Sequence, residues 1–440
     1  MDETGGVDET GSTTDTDDGV VPPKGGFVVG TTRIVLEDAG AWEHLTPEIR
    51  VALGLDEGDS RALMVKIWYP AAADADAESR RHYAYHTETN DFPFPGGPLL
   101  DLLRGAVTPS RSYQNAQPVA AGAPVLLYSH GYGLFVEENE PMFERFVESG
   151  YVVVSIGHTG EASMVTLDGD TTVVALDAME VDLDRELAPD PEALLQPADI
   201  AELLAVPIGD PVDPSILERY HYTNAVVADG AQAHLDLWVR DTVFVVAELE
   251  ALGAEGGQFE GVFDLSTIGA LGFSFGGAAA RRYCSIEPRC RAALNLDGDT
   301  YARLDERTTK PYLRMTGDFA GTWAEALREG IPEDFFAEYE AEYAVYKTGS
   351  VHASVAAADA ELFEIELRDA SHGDFVGGWF ELHDFGAGTA ARQSSIGSVV
   401  HAFFDAYVVE DETALEELCA GVGDDPALTS TFDNVCALGR

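Results

Sequence analysis

The fold class predicted for this chain is α/β: a mostly parallel central sheet with helices on both faces and a cap-like insertion. Three observations predict it. Short apolar runs alternate with amphipathic helical stretches, the rhythm of strands covered on both faces. The chain has 440 residues, 45% of them hydrophobic, which suffices for one large decorated domain. No internal repeat of roughly 20 to 50 residues is visible, which disfavours a solenoid or propeller.

In chain order, residues 1–25 are acidic, polar and rich in Gly and Thr, so a disordered tail is expected there. Ordered structure is expected from about residue 26 to 410. FVVGTTRIVLED and RALMVKIWYP alternate apolar and polar residues, as half-buried strands do, and suggest an antiparallel edge. VLLYSHGYG gives a strand ending in a glycine-bearing turn, NEPMFERFVESG a helix, and YVVVSI a wholly apolar strand. Residues 160–235 break the rhythm. They open on SMVTLDGDTTVVA, where Asp168-Gly169 signals a hairpin, and continue through a Pro-rich acidic stretch. An insertion of that size is expected to cover the mouth of a site. A long helix (AQAHLDLWVRDTVFVVAELEAL) follows, then the strand TIGALGF, the helix GGAAARRYC, the strands AALNL, PYLRMTG and LFEIEL, and a helix SIGSVVHAFFDAYV. Residues 411–440 are expected to form an acidic helical tail.

Asp and Glu number 78 against 26 Lys and Arg, a formal net charge of −52. Such a charge repels itself in dilute buffer. At molar salt the Debye length is about 3 Å, so the composition points to a protein adapted to high salt. With no basic stripe to neutralise phosphates, nucleic acid is excluded as an expected partner. The four cysteines, Cys284, Cys290, Cys419 and Cys436, lack C-x-x-C spacing, and buried free thiols are the default expectation. A Cys284–Cys290 bridge is the alternative. The first residues carry no signal-peptide pattern and no run is long enough to span a bilayer, so a cytoplasmic protein is expected, with a secreted or processed form left open.

Residues 271–277 read LGFSFGG and contain G-x-S-x-G around Ser274. The pattern suits a serine on a sharp strand-to-helix turn, with glycines where two backbones approach. Five-residue patterns recur by chance, so the rest of the chain must supply partners. A serine hydroxyl needs a base, usually histidine, oriented by a carboxylate. In a parallel sheet all three gather at the carboxyl ends of strands. Asp297 follows AALNL, one crossover from the serine strand, and is the favoured acid. Asp318, one strand further, is its rival, and Asp299 is a third option; the losers should be caps or turn residues. Of eleven histidines, four follow these acids. His372, in RDASHGDF just after a strand, lies at the correct end. His352 precedes that strand, His383 sits in an acidic loop and His401 in an apolar helix. An oxyanion would need two backbone N–H donors. Phe275, after the serine, and Tyr132, in His130-Gly131-Tyr132-Gly133, are the candidates, with His130 ordering its turn.

These segments resemble the α/β-hydrolase superfamily, and within it platelet-activating-factor acetylhydrolase and related bacterial and archaeal hydrolases. The matching features are IWYPA, SHGYG, GYVVVSIGHTG, Arg240-Asp241, FDLSTIGALGFSFGGAAA, CRAALNLDG and ASHGDF, spread over roughly residues 27 to 408. The resemblance implies Ser274 as nucleophile, His372 as base, Asp297 as acid, and Tyr132 and Phe275 as oxyanion donors. It departs from the family at Phe273, where such enzymes often carry histidine.

The expected activity is serine carboxylic-ester hydrolysis of short- or medium-chain acyl esters, lipid-like ones included, with no metal or cofactor. Tyr132, Phe135, Phe275, Trp323, Phe375 and Trp379 would suit an apolar acyl pocket, though each also suits ordinary core. A polyester or cyclic-ester hydrolase, a serine peptidase or amidase, and a non-catalytic binding protein are the alternatives. A binding protein would have no need of serine, histidine, acid and oxyanion turn together.

Overall fold

The apolar runs become strands because each side of the sheet finds its own cover. A computed structural model of the chain describes residues 28–40, 60–72, 81–83, 109–162, 165–167, 170–172, 191–227, 231–301, 306–328, 330–377 and 389–436. The expected tail at 1–25 lies outside them.

The strands are β1 (Val28–Asp38), β2 (Arg61–Ala71), β3 (Arg81–Tyr83), β4 (Pro109–Gln114), β5 (Ala123–Ser129), β6 (Val152–Gly157), β7 (Val165–Leu167), β8 (Asp170–Thr172), β9 (Phe263–Phe273), β10 (Cys290–Leu296), β11 (Tyr312–Gly317), β12 (Leu362–Leu367) and β13 (Leu428–Asp433). The helices are α1 (Glu140–Glu148), α2 (Pro197–Ala205), α3 (Pro214–Val227), α4 (Ala231–Gly253), α5 (Phe275–Ile286), α6 (Phe319–Arg328), α7 (Phe336–Ala357), α8 (Thr389–Tyr407) and α9 (Glu412–Asp424).

Eleven of the described strands form one sheet in the order β13-β12-β11-β10-β9-β5-β6-β2-β1-β4-β3, and β7 pairs with β8 apart from it. From β12 to β6 every pairing is parallel. β2 runs antiparallel to β6, and β1 to β2. The chain therefore has the expected α/β architecture, a parallel central run of strands with antiparallel pairings towards both borders.

Alternation within single strands feeds two cores. Leu126 and Tyr128 of β5 join Phe143 and Phe146 of α1 and Phe403 and Phe404 of α8 on one face. Val125 and Leu127 join Val245 and Leu249 of α4 and Tyr283 of α5 on the other. Each such side chain contributes ~1.5–3 kcal/mol when fully buried.

Four expectations change. β2 is buried almost throughout rather than on alternate residues, because both its faces are covered, Trp68 joining one core and Leu63, Val65, Ile67 and Tyr69 the other. The border extends beyond β1, which pairs parallel with β4, to β3, which pairs antiparallel with β4. Residues after 410 are not only a helical tail: β13 pairs antiparallel with β12 and closes that border. All four cysteines are bridged, Cys284 to Cys290 and Cys419 to Cys436, where free thiols were the default expectation. The first bridge ties the end of α5 to the start of β10, and the second ties α9 to the chain just past β13.

The turn predicted at Asp168-Gly169 lies outside the described residues; β7 and β8 on either side of it pair antiparallel, Leu167 with Asp170. The insertion's helices pack on α7: Leu203 of α2 and Ile216, Leu217 and Tyr220 of α3 cluster with Ala353.

Candidate active site

Strand register brings the predicted residues to one end of the sheet. Phe273 of β9 is level with Leu296 of β10, Leu296 with Met315 of β11, and Gly317 with Leu367 of β12. Ser274, Asp297, Asp318 and the loop carrying His372 therefore leave neighbouring strands at the same edge. Ser129 of β5 is level with Gly272, which puts the His130-Gly131-Tyr132-Gly133 turn at that edge too.

Ser274 has φ 52° and ψ −121°, a left-handed backbone that a non-glycine residue adopts only under constraint. The constraint is close packing. A Cβ on Gly272 would fall 2.2 Å from the Gly276 carbonyl carbon, and one on Gly276 would fall 2.0 Å from the Ser129 oxygen. The two glycines of G-x-S-x-G thus let β9, α5 and the end of β5 meet. Ser274 N–H donates to the Leu296 carbonyl at 2.8 Å, pinning the elbow to β10.

His372 Nδ1 lies 2.6 Å from Asp297 Oδ2, and the other Asp297 oxygen accepts from Gly317 N–H at 2.8 Å. The histidine ring packs on Phe273, ring centroids 4.5 Å apart, which sets it beside the elbow. Its side chain is 48% exposed, so the far ring nitrogen can meet a solvent-borne molecule. Desolvation pulls the His372 pKa down, but the hydrogen bond and charge of Asp297, helped by Glu325, outweigh it and hold the pKa above the usual histidine value. Glu325 of α6 also accepts from the His372 backbone N–H at 3.2 Å.

The two other acids have partners of their own. Asp318 caps α6, accepting from Gly321 N–H at 2.8 Å, and its second oxygen accepts from Asp369 N–H at 2.9 Å. Asp299 accepts from Thr300 N–H at 2.6 Å and from Asn224 of α3 at 3.2 Å. His401 is stacked on Phe146, centroids 4.1 Å apart, and His352 lies 3.3 Å from the Val206 carbonyl. His383 and Trp379 fall outside the described residues, while Phe135 and Phe375 are buried core.

The residues that carry the candidate oxyanion donors touch through their rings. Phe275 opens α5, where the first N–H groups of a helix have no intrahelical acceptor and the dipole favours negative charge. The Tyr132 ring meets the Phe275 ring edge-on at 5.8 Å. His130 orders the turn as expected: its Nδ1 is 2.7 Å from the Gly131 carbonyl, and its Nε2 accepts from His158 N–H at 3.2 Å. Full burial lowers its pKa to about 3, so it is neutral.

Beneath the turn lies a network that the sequence displayed only as unexplained motifs. His158, of the quoted GHTG, joins Ser129 Oγ at 3.2 Å and Asp241 at 2.9 Å. Asp241, of the quoted Arg240-Asp241 pair, also accepts two bonds from Arg61 at 2.9 Å each. Glu138, Asn139 and Glu325 were missed altogether; in so acidic a chain no single carboxylate stands out.

No protein-family model matches the sequence, and no curated protein does. A solved structure does: a ferulic acid esterase from Streptomyces cinnamoneus, with a TM-score of 0.56 and 18% identity, covering 93% of this chain and 97% of that one. At that identity the likeness is one of fold, and it extends over nearly the whole chain.

Proposed function

We propose that the chain is a serine carboxylic-ester hydrolase. One observation carries the proposal: a histidine bonded to a buried-edge aspartate and packed beside a strained serine, all at the carboxyl edge of the sheet. Ser274 Oγ attacks the ester carbonyl while His372 Nε2 takes its proton. Asp297 fixes the ring and favours the imidazolium that forms. The oxyanion is met by the N–H groups of Tyr132 and Phe275. His372 returns the proton to the leaving alcohol, and water repeats the sequence on the acyl-enzyme, releasing the acid.

Short- and medium-chain acyl esters are the proposed substrates, and the fold shared with a ferulic acid esterase adds esters of ferulic acid to them. The exposure of His372 favours a second reading, a polyester or cyclic-ester hydrolase with an open cleft. The specific resemblance to platelet-activating-factor acetylhydrolase gains no support from the comparisons. Residues 160–235 act as the cap in this proposal, since α3 reaches the site's margin through Asn224 and Asp299. No described helix is long and apolar enough to cross a membrane. Two disulfides suit an oxidising compartment better than the cytoplasm first expected, so an exported protein working at high salt is proposed.

The test is labelling with a fluorophosphonate in about 3 M KCl, where charge repulsion is screened, followed by peptide mass mapping. The expected result is one adduct, on Ser274, lost in His372→Ala with the circular dichroism spectrum kept. Well-folded protein with no adduct would overturn the proposal.

A further inference from the structure

The turn that presents Tyr132 is a glycine-rich loop, and such loops do not hold one peptide orientation unaided. Here both flanking N–H groups are fixed. Gly133 N–H donates to the Glu161 carbonyl at 2.9 Å, and Gly131 N–H donates to the side chain of Glu138 at 3.0 Å. Glu138 is completely buried at the entrance to α1. Its Oε1 also accepts from the Tyr128 hydroxyl at 2.5 Å, and its Oε2 is buried with no partner among the described residues.

The next residue reaches the opposite side of the site. Asn139 Nδ2 donates to Tyr128 Oη at 2.7 Å and to the Phe375 carbonyl at 3.2 Å, while its Oδ1 accepts from Gly377 N–H at 2.6 Å. Phe375 and Gly377 belong to the loop that carries His372. One dipeptide therefore grips the oxyanion turn with one side chain and the histidine loop with the other, and Tyr128 links the two. Between them lies Phe273: a Cβ on Gly131 would sit 2.7 Å from its ring, which in turn stacks on His372.

We propose that Glu138 and Asn139 are positioning residues that hold the Tyr132 turn and the His372 loop in one fixed relation, Glu138 through its acceptor oxygen and Asn139 through its amide. The inference rests on the ester-hydrolase reading above. The protonation state suits the role. Burial pushes the Glu138 carboxyl up to about 8, against hydrogen bonds from Tyr128, Gly131 and Phe135 that lower it. Near neutral pH it is thus a neutral acceptor, and no fixed anion opposes the oxyanion forming one peptide away.

The experiment compares Glu138→Gln, Glu138→Leu and Asn139→Asp with the parent on a p-nitrophenyl ester in high salt. Active enzyme is counted by fluorophosphonate titration of Ser274. Glutamine keeps the acceptor and imitates the neutral acid; leucine keeps the volume and removes it. Glu138→Leu should lose about 100-fold in kcat with KM within about threefold, the scale of a misplaced oxyanion donor. Glu138→Gln should stay within about threefold and Asn139→Asp should lose about tenfold. Leucine and glutamine variants equally active, or equally impaired, would overturn the proposal, the second result assigning Glu138 to packing alone. If Glu138→Leu does not fold, Asn139→Asp decides, and a folded variant at parental kcat overturns it. A parent that neither hydrolyses the ester nor takes the label sinks the ester-hydrolase reading, and this inference with it.

Discussion

The molecule contains two Ser-His-Asp sets, and they share residue types while differing in everything that matters for chemistry. Ser129, His158 and Asp241 form a continuous chain of hydrogen bonds, yet all three are buried and Trp238 lies flat on the imidazole, centroids 4.0 Å apart. Ser274, His372 and Asp297 stand at the open edge of the sheet. The acids differ as well. Burial would raise the Asp241 pKa, but the Arg61 guanidinium and the hydrogen bond from His158 outweigh it and hold the pKa below the usual carboxylate value. Asp297 has one ring and one backbone N–H. The serines differ most: Ser129 ends a regular strand, whereas Ser274 sits at φ 52°. Composition alone does not tell the two sets apart; access, the serine's backbone and the acid's partners do.

The widest separation of the two sets should come from crossed substitutions. Ser274→Ala should lower kcat/KM by about 10⁴-fold or more, and Asp297→Asn by about 10³–10⁴-fold, with little change in melting temperature. Ser129→Ala should cost less than about tenfold in rate. Asp241→Asn leaves Arg61 buried with a broken partner, and should cost about 3–5 kcal/mol of stability, seen as a lower denaturant midpoint. A destabilised Asp297 variant with ordinary turnover would erase the distinction between the sets.

How much of this was legible in the sequence follows from where the signals lie. Ser274, Asp297, His372 and the His130 turn are local patterns at strand ends, where periodicity and turn residues speak directly. β4 and β13 are polar, PSRSYQ and LTSTFD, and give no apolar run to find. β4 is nonetheless tied in by Ser110 and Ser112, whose hydroxyls donate to Glu140 and Glu144 of α1. Those glutamates are the second blind spot. An excess of 52 negative charges invites the inference that acids coat the surface, but Glu137, Glu138, Glu140 and Glu144 are all buried at and just before α1. The sequence could raise the disulfides only as open alternatives, because neither sequence separation, 6 and 17, has a motif to mark it.

The two histidines should answer acid in opposite ways, a smaller but sharper contrast. His372 has a folded pKa above its unfolded value, so its contribution to stability is full below the unfolded pKa and is lost as pH rises through the folded one. Its work as a base needs the neutral ring, so kcat/KM should fall on acidification through an apparent pKa above about 6.5. For His158, burial lowers the pKa in spite of Asp241 and Glu161. The unfolded chain then binds the proton more readily, and stability drains as pH falls through the unfolded pKa. Melting curves from about pH 8 to 5 should show that loss, reduced in His158→Gln, while the rate profile should keep its shape. An acid limb in the rate below about pH 6 would put some group other than His372 in the base role.

The smallest expected effect concerns the rejected acid. Asp318 leaves β11 at the same edge as Asp297 leaves β10, so topology alone does not separate them. Their bonds do. Both Asp318 oxygens are taken by backbone N–H groups, Gly321 of the helix it caps and Asp369 of the histidine loop's approach. Asparagine can keep the cap through its carbonyl oxygen, and it is among the residues preferred at such positions. Asp318→Asn should therefore change kcat/KM by less than about threefold and stability by a few tenths of a kcal/mol. Asp297→Asn keeps volume and the Gly317 contact yet replaces the one oxygen facing His372 Nδ1–H, which is why it falls by orders of magnitude. Measured side by side on one ester in high salt, the two variants should differ by at least about 100-fold. Equal losses would mean that a carboxylate two strands from the serine steers the same imidazole, and that the 2.6 Å bond to Asp297 is not the one that turnover uses.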